Sequence, residues 1–416
     1  MAVDMVTLGQ RLKAARENRE LTQDHVATEL KISRPQVSKI EAGNQAIDLG
    51  LLDALAELYG VTASDLLSAQ TTDDVLSALL RASPDLEESA SAEIQAEITR
   101  HLKICRAGAE LERRLGREDF CGPPAYSFAG PSSAGEAVAQ GELAARQERG
   151  RLGLGSNPIP DMADLIAATG VWASGSRFPS EISGLYLRQK EIGLVVLVNY
   201  FHSRARKRFS YAHEYGHVLL DRDHTVAISK RSNRAELSEV RANAFAAAFL
   251  LPQNGVNRFL LSRRKGLRTR TEMSVYDLSI DNPEATEQET SLRATARTLP
   301  GSQKISYQDI AALAHHFGAS YQAAAYRLKG MNLVTQTELA TLLEKEQFGQ
   351  RYLALLKLDK DAEEQTNSHD RDLTKQVVDL SIEAFRRELI DRNYLLELGV
   401  TLGIAGQELV KLAEAA

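Results

Sequence analysis

The stretch HEYGH, which begins at His213, constrains this chain more than any other feature of its sequence. On a helix, residues four apart lie one turn above each other, so His213 and His217 can present two imidazoles to one metal ion. Glu214 lies beside them, where it can take a proton from a water whose pKa the metal lowers to about 7. The apolar run 194–198 predicts a buried strand, and the apolar residues 218–220 predict that the helix lies in a core. The pattern therefore predicts a catalytic zinc site rather than a surface helix.

A catalytic zinc site needs a third protein ligand and an open fourth position. Asp223 would require a sharp reversal of the chain, but Leu220 stands where that turn needs glycine, and His224 is one residue out of register. We favour Glu239, which begins the Ala-rich segment EVRANAFAAAFLLP, because this segment predicts a helix that ends before its proline. Glu236, one turn earlier, is the fallback.

Asn243 lies one turn beyond Glu239, where its side-chain oxygen can accept the second N–H of a metal-bound histidine. The paired segments RFSYAHEYGHVLL and EVRANAFAAAFLLP resemble the ImmA/IrrE family of bacterial metallopeptidases, and the resemblance covers roughly residues 136–345. Where many members of that family have histidine after the two leucines, this chain has Asp221.

The resemblance implies a zincin-like fold and a zinc-dependent endopeptidase. In this chain it assigns the zinc ligands to His213, His217 and Glu239, and the general base to Glu214. It also implies a protein substrate, typically a helix-turn-helix repressor, cleaved in response to DNA damage or to the induction of a mobile element. Tyr211 is a candidate for stabilising the oxyanion.

The composition is that of a globular chain. It has 416 residues, of which 43% are hydrophobic, enough for two or three domains. No run approaches the roughly 18 apolar residues of a membrane span, and the N-terminus lacks a signal-peptide core. The two cysteines, Cys105 and Cys121, fit no disulfide framework, which predicts a reducing compartment, the bacterial cytoplasm. A net charge of −6 means that any contact with DNA must come from a local face.

Residues 1–70 are predicted to form a domain of five short helices. The segment LTQDHVATELKISRPQVSKIEAG, which begins at Leu21, resembles the XRE/Cro-type helix-turn-helix. The resemblance implies that the helix after Ser33 enters the major groove of DNA, with Glu41 supporting the fold. The residues that would contact DNA are Gln23, Arg34, Gln36 and Lys39.

Two further expectations concern this N-terminal domain. Reading of a half-site by one such domain is weak, so a homodimer is expected if DNA is the ligand. Acidic residues outnumber basic ones in residues 6–68, however, and a helix-turn-helix can also dock onto another domain of its own kind.

The rest of the chain predicts a mainly α fold of the α+β class, divided as follows. Residues 71–135 form a helical connector, with helices at 72–81 and 85–117 and a turn-rich hinge at 121–133. Residues 136–272 form the peptidase domain, whose small sheet has strands at 171–174, 184–189 and 193–199. Residues 273–303 form a flexible excursion, 304–345 a second helix-turn-helix-like array, and 346–416 a C-terminal helical region.

Three features invite a functional interpretation that we do not favour. The basic clusters at 204–208 and 263–270 are typical of solvated faces, the alternative being a surface for a nucleic-acid or acidic effector. His315 and His316 precede a glycine turn in an apolar helix without a carboxylate at useful spacing, so we expect them to be structural.

Two hypotheses remain for the whole chain. The first is a site-specific zinc endopeptidase that regulates transcription by cleaving a repressor, or its own segment 117–135. The second is a DNA-binding transcriptional regulator whose peptidase fold acts as a sensor or dimerisation body without turnover. The first is favoured because a fold kept only for binding has no need of Glu214.

Overall fold

The structure is a computed structural model that describes residues 5–19, 21–61, 63–67, 92–117, 122–189, 191–222, 226–230, 235–265, 270–275, 292–297, 303–358 and 371–415. The chain divides into two compact units, residues 1–95 and 96–416. As predicted, the described residues are mainly helical with a small sheet. The predicted helix at 72–81, residues 85–91 and Cys121 lie outside the described residues.

In the described residues up to 67, the N-terminal unit has five helices, α1 to α5, which are Met5–Asn18, Gln23–Glu29, Arg34–Glu41, Leu49–Tyr59 and Ala63–Leu67. Side-chain caps explain two of the helix starts, because Thr22 accepts the backbone N–H of His25 at 3.2 Å and Asp48 accepts that of Leu51 at 2.8 Å. Apolar residues from α1 to α5 meet in one core around Leu12 and Val37. The five-helix domain is therefore formed as predicted.

The second unit is built around a four-stranded sheet. Its strands are β1 Val171–Ser176, β2 Ile182–Gln189, β3 Gly193–Asn199 and β4 Val226–Lys230, in the order β1-β3-β2-β4. β1 runs parallel to β3, and the other neighbours are antiparallel. Three of these strands were predicted. The fourth, β4, was not, because it is a short edge strand that follows soon after the HEYGH helix.

The described helices between residues 92 and 262 are α6 Ala92–Arg114, α7 Ala134–Arg151, α8 Met162–Ala167, α9 Arg204–Leu220, α10 Leu237–Leu250 and α11 Gln253–Ser262. α9 packs on β2 and β3, while α10 packs on α9 and α7. Tyr215, Phe245 and Phe249 are completely buried between these helices, and the rings of Phe245 and Phe249 stack with centroids 5.1 Å apart. Such aromatic burial fixes α9 against α10.

The remaining helices are α12 Tyr307–Phe317, α13 Tyr321–Gly330, α14 Gln336–Leu343, α15 Glu346–Leu355, α16 Arg371–Arg386, α17 Arg392–Leu402 and α18 Gly406–Ala415. α12 begins with a capping box between Ser306 and Asp309 and ends at Gly318, whose φ is 64°. α12, α13 and α14 form the predicted three-helix array, and they share a core with α11. Among the described residues, no helix has both the length and the apolar character needed to cross a bilayer.

The basic clusters are less solvent-exposed than predicted. Arg208 is buried, and its guanidinium donates to the carbonyls of Ile159 at 2.5 Å, Pro160 at 2.8 Å and Gly318 at 3.0 Å. Arg263 donates to the Asp309 carboxylate at 2.8 Å. These two arginines therefore hold α9 and α11 against neighbouring segments. The prediction of a solvated face is wrong for Arg208, because a run of basic residues does not show which side chain turns inward, whereas the Arg263 side chain is partly exposed.

The segment expected as a flexible excursion contains regular structure. β5 Arg270–Val275 and β6 Leu292–Arg297 pair as an antiparallel two-stranded sheet. Residues 276–291 between them lie outside the described residues. The residues of β6, LRATAR, alternate apolar and polar, but the run is short and lies in a polar segment, so the strand was not predicted.

The turn-rich segment 122–133, which we call the strap, is attached to the second unit. The Tyr126 N–H donates to the carbonyl of Leu219 at 2.8 Å, and the Tyr126 hydroxyl donates to Glu148 at 2.9 Å. Arg222 donates to the Pro123 carbonyl. The hinge stays a prediction, and these residues are bound to their neighbours by the contacts given above. Glycine and proline mark turns, but they do not show whether neighbouring side chains bind the backbone.

Candidate metal centre

The centre lies where two buried helices cross. His213 and His217 are one turn apart on α9, and Glu239 lies in the first turn of α10. All three side chains are buried. α9 is buried on nearly all sides from residue 212 to 219, because the sheet covers one side and α10 the other. Gly216 permits the close approach of α10, since a Cβ there would lie 3.1 Å from the ring of Phe245.

Three candidate ligand atoms converge on one point. Nε2 of His213 lies 3.1 Å from Nε2 of His217, and the two Glu239 oxygens lie 3.2 Å from one or the other of these nitrogens. Ligands at about 2.1 Å from a tetrahedral zinc ion are about 3.4 Å apart, so the spacing fits that ion closely. This is the sole group of three potential ligands found in the described part of the chain.

The other ring nitrogens fix the orientation of both imidazoles. Nδ1 of His213 lies 3.0 Å from Oδ1 of Asn243, and Nδ1 of His217 lies 2.8 Å from Oδ2 of Asp221. Because both partners are acceptors, each Nδ1 carries the proton and each Nε2 presents a lone pair. Two lone pairs and a carboxylate held this close repel one another unless a cation lies between them. The donor set therefore fits a metal ion.

The electrostatics of the site also favour a cation. Burial opposes the charged forms of His217 and Glu239, but hydrogen bonds outweigh this effect. In the absence of a metal ion, a proton at Nε2 would relieve the same repulsion: hydrogen bonds to Asp221 and Glu239 raise the pKa of His217, and hydrogen bonds from both histidines lower the pKa of Glu239. Asp221 in turn receives a hydrogen bond from Arg241 at 2.5 Å. The centre of the pocket therefore carries the negative charge of Glu239, and Arg241 balances the negative charge of Asp221 on the other side of His217.

Glu214 is completely buried beside the ligands. Its carboxylate lies over β2 at Gly184, where an added Cβ would come within 2.4 Å of Oε1 of Glu214. Neither carboxylate oxygen has a hydrogen-bond partner of ordinary geometry among the described residues. Burial raises the pKa of Glu214, and this rise is opposed by the two histidines and by the nearby Ser229 hydroxyl. A carboxylate of raised pKa without firm partners is suited to take and return a proton.

Several of the alternatives considered for the site are placed elsewhere or lie outside the described residues. Glu236 is exposed and precedes α10 as its N-cap. Tyr211 is partly buried and packs against the core. Asp223 and His224 lie outside the described residues. His316 is exposed and stacks on Phe259, with ring centroids 5.1 Å apart.

Three residues near the site were not singled out from the sequence. Asp221 was noted only as a departure from the family pattern, although its spacing from His217 on one helix face could have indicated the contact. Arg241 and Ser229 carry no local signal, because they reach the site from α10 and from the unpredicted strand β4.

The N-terminal unit presents part of the expected DNA-contacting set. Arg34 and Lys39 are exposed on α3, whereas Gln36 is partly buried. Gln23 donates to Glu41 at 2.9 Å. Glu41 is buried and also accepts two hydrogen bonds from Arg16, at 2.6 and 3.0 Å, so it has the supporting position that was expected.

Comparison with known proteins identifies both units. A family model described as "Helix-turn-helix domain" matches residues 7–69. A second, described as "IrrE N-terminal-like domain" and belonging to peptidase family M78, matches residues 173–279. The chain thus joins a helix-turn-helix domain to an IrrE-like domain. The IrrE-like match includes β1, α9 and α10 but not α7, which carries Gln140 and Glu148.

One curated relative is the immunity repressor protein of Bacillus phage phi105. It is 35% identical over 66 residues, which are 16% of this chain. The chain spans 46% of the length of that repressor.

Proposed function

We propose that the chain is a zinc-dependent, site-specific endopeptidase that regulates transcription by cleaving a helix-turn-helix repressor. The observation that carries this proposal is the convergence of His213, His217 and Glu239 beside a buried Glu214 without firm partners. A protein that only binds DNA gains nothing from burying such a carboxylate at a cost in stability.

The residues of the chain divide the chemistry among them. When bound by His213, His217 and Glu239, zinc would polarise the scissile carbonyl and lower the pKa of water. Glu214 takes the proton of the attacking water at a carboxylate oxygen as the new C–O bond forms. It then gives that proton to the nitrogen of the breaking C–N bond, which leaves as an amine. Asn243 and Asp221 keep both imidazoles oriented during these steps.

The substrate is proposed to be a separate repressor rather than the segment 117–135. The strap is held by contacts to Leu219, Glu148 and Gln140, so it would have to leave these partners before it could enter the site as a substrate. The helix-turn-helix domain would bring the enzyme to operator DNA or to the repressor bound there, which places its work in the cytoplasm. We further propose that it acts as a homodimer and that a stress signal or a nucleic-acid effector switches cleavage.

The test is co-expression of the full chain with repressors encoded near it, using wild type and Glu214→Gln at equal bound zinc. We expect a discrete repressor fragment with wild type alone. Glu236→Gln is the matched control, because this carboxylate is exposed and lies outside the ligand set, so cleavage should persist. Glu239→Gln should lose both zinc and cleavage.

Two results would contradict the proposal. One is a fragment that forms equally with Glu214→Gln. The other is wild type that holds one equivalent of zinc but cleaves none of the repressors.

The second candidate is a DNA-binding regulator without turnover. It is supported by the helix-turn-helix match and by the similarity to a phage immunity repressor over 66 residues. Here Arg34→Ala and Lys39→Ala should each weaken operator binding, with a shallower dependence of affinity on salt if the side chain contacts phosphate. Operator binding that is equal in wild type and Glu214→Gln, together with no cleavage by either, would favour this function.

A further inference from the structure

A continuous chain of hydrogen bonds runs from a proposed metal ligand to the strap. Oδ2 of Asp221 accepts Nδ1–H of His217 at 2.8 Å, and its Oδ1 accepts Nη2 of Arg241 at 2.5 Å. Nη1 of Arg241 donates to Oε1 of Gln140 at 3.1 Å, and Nε2 of Gln140 donates to the Ala129 carbonyl at 3.0 Å. The three intermediate side chains are all more than nine-tenths buried.

We propose that Arg241 and Gln140 are positioning residues for His217, and that through them the strap controls how tightly the site holds its metal. The inference rests on the proposed metal site but not on peptidase activity. It extends the site beyond Asp221 to two residues, on α10 and α7, that contact no candidate ligand themselves.

The physical argument begins with Asp221. A buried carboxylate needs a cationic partner, and Arg241 supplies it with one guanidinium N–H while directing a second toward Gln140. With both ends held, the carboxylate cannot rotate away from the imidazole. Without Arg241, the carboxylate would lack its cationic partner and could rotate away from the imidazole, so His217 would lose its fixed orientation.

Gln140 has a different role in this series of hydrogen bonds. Among the described residues, Gln140 joins this buried set to the strap, since its amide accepts from Arg241 and donates to Ala129, with a longer bond of 3.4 Å to Glu136 on its own helix. An amide that satisfies both partners fixes the position of each. Movement of the strap away from α7 would therefore free Gln140, then Arg241, and so loosen the hold on His217.

The experiment measures zinc affinity in the full chain by competition with a chromophoric chelator, for wild type, Arg241→Gln and Gln140→Leu. Loss of a partner behind a metal ligand typically weakens metal binding by about 10- to 100-fold, which is the range expected for Arg241→Gln. Gln140→Leu leaves the Asp221–Arg241 pair intact, so we expect a smaller loss, on the order of threefold to tenfold. Absorption of the Co²⁺-substituted proteins gives a second readout, because it changes when a ligand shifts.

Arg149→Gln is the matched control. Arg149 is equally buried and donates to the carbonyls of Gly155, Asn157 and Phe249, but none of its partners contacts a candidate ligand. We expect this variant to lower the melting temperature of the metal-free chain and to leave zinc affinity unchanged. The proposal is overturned if Arg241→Gln and Gln140→Leu bind zinc as wild type does. It is also overturned if the loss of affinity follows the loss of melting temperature equally in all three variants.

The outcomes separate this inference from the proposed peptidase function. Wild type that binds zinc but cleaves nothing refutes the peptidase and leaves the affinity test valid. If Arg241→Gln and Gln140→Leu bind zinc as wild type does and still cleave the repressor, only the positioning role is refuted. If Arg241→Gln does not fold, Gln140→Leu decides, because it removes no buried charge.

Discussion

Replacing Gly141 by alanine should force apart α7 and α10, the helices behind the candidate metal centre. Gly141 is buried on α7, where the helix meets the backbone of α10. A Cβ at this position would lie 2.3 Å from the carbonyl oxygen of Arg241 and 2.8 Å from the nitrogen of Phe245. Both atoms belong to backbone and cannot rotate aside.

The size of the effect follows from these distances. Ordinary contact begins near 3.4 Å, so α7 and α10 would have to move apart by about 1 Å. Overpacking of this kind costs about 1–3 kcal/mol, whereas alanine gains about 0.5–1 kcal/mol in helix propensity. The net result should be a loss of about 1–2 kcal/mol in the free energy of unfolding. Zinc affinity should also fall, because α10 carries Glu239 and Arg241.

The assay is urea unfolding of the metal-free full chain, followed by zinc competition, with Gly150→Ala as the control. Gly150 lies on the same helix, is exposed, and has nothing within 4 Å of an added Cβ. Its replacement should slightly increase the free energy of unfolding. The same glycine-to-alanine change is therefore expected to destabilise the protein at position 141 and to stabilise it at position 150. Equal stabilisation by both substitutions would refute the close approach of α7 to α10.

Three further predictions concern buried charges and a thiol. Glu41→Gln should destabilise the N-terminal unit by about 3 kcal/mol, seen as an earlier thermal transition of the full chain, because the buried Arg16 loses its ionic partner; an unchanged transition would contradict this. Burial raises the pKa of the Cys105 thiol, so peptide mapping should show no alkylation there at pH 8 until the chain is unfolded. Burial opposes the ionisation of Glu148, but hydrogen bonds led by that from Arg151 outweigh it and lower the pKa. Its stabilisation is therefore full above the unfolded pKa of about 4.3 and is lost as the pH falls through the folded pKa, so Glu148→Gln should flatten the acid limb of stability.

The parts of the site that could be predicted from the sequence are those encoded locally. The spacing of His213 and His217 is a property of one helix, and Glu239 and Asn243 are one turn apart on another. The continuous apolar run from Leu194 predicted β3 for the same reason, since a strand buried on both faces needs no alternation.

The parts that could not be predicted depend on contacts between distant segments. Arg241 contacts Asp221 and Gln140, which lie on different helices, and no local pattern indicates such a pairing. The strap has the composition of a hinge, yet Tyr126 ties it to Leu219 and Glu148. Whether a polar group is satisfied by water or by protein is decided by tertiary packing, which a single sequence does not display.

The buried Arg208 has a consequence for how this protein can be divided. Its guanidinium joins the start of the HEYGH helix both to Ile159 and Pro160 and to Gly318, which lies well beyond residue 279, where the IrrE-like match ends. A chain cut at that match boundary would lose two carbonyl acceptors of Arg208, those of Phe317 and Gly318, and would leave the core shared by α11 and α12 open. Recombination or gene shortening that preserves this fold should therefore carry residues 303–358 along with the HEYGH helix, so the inherited unit is larger than the recognisable motif.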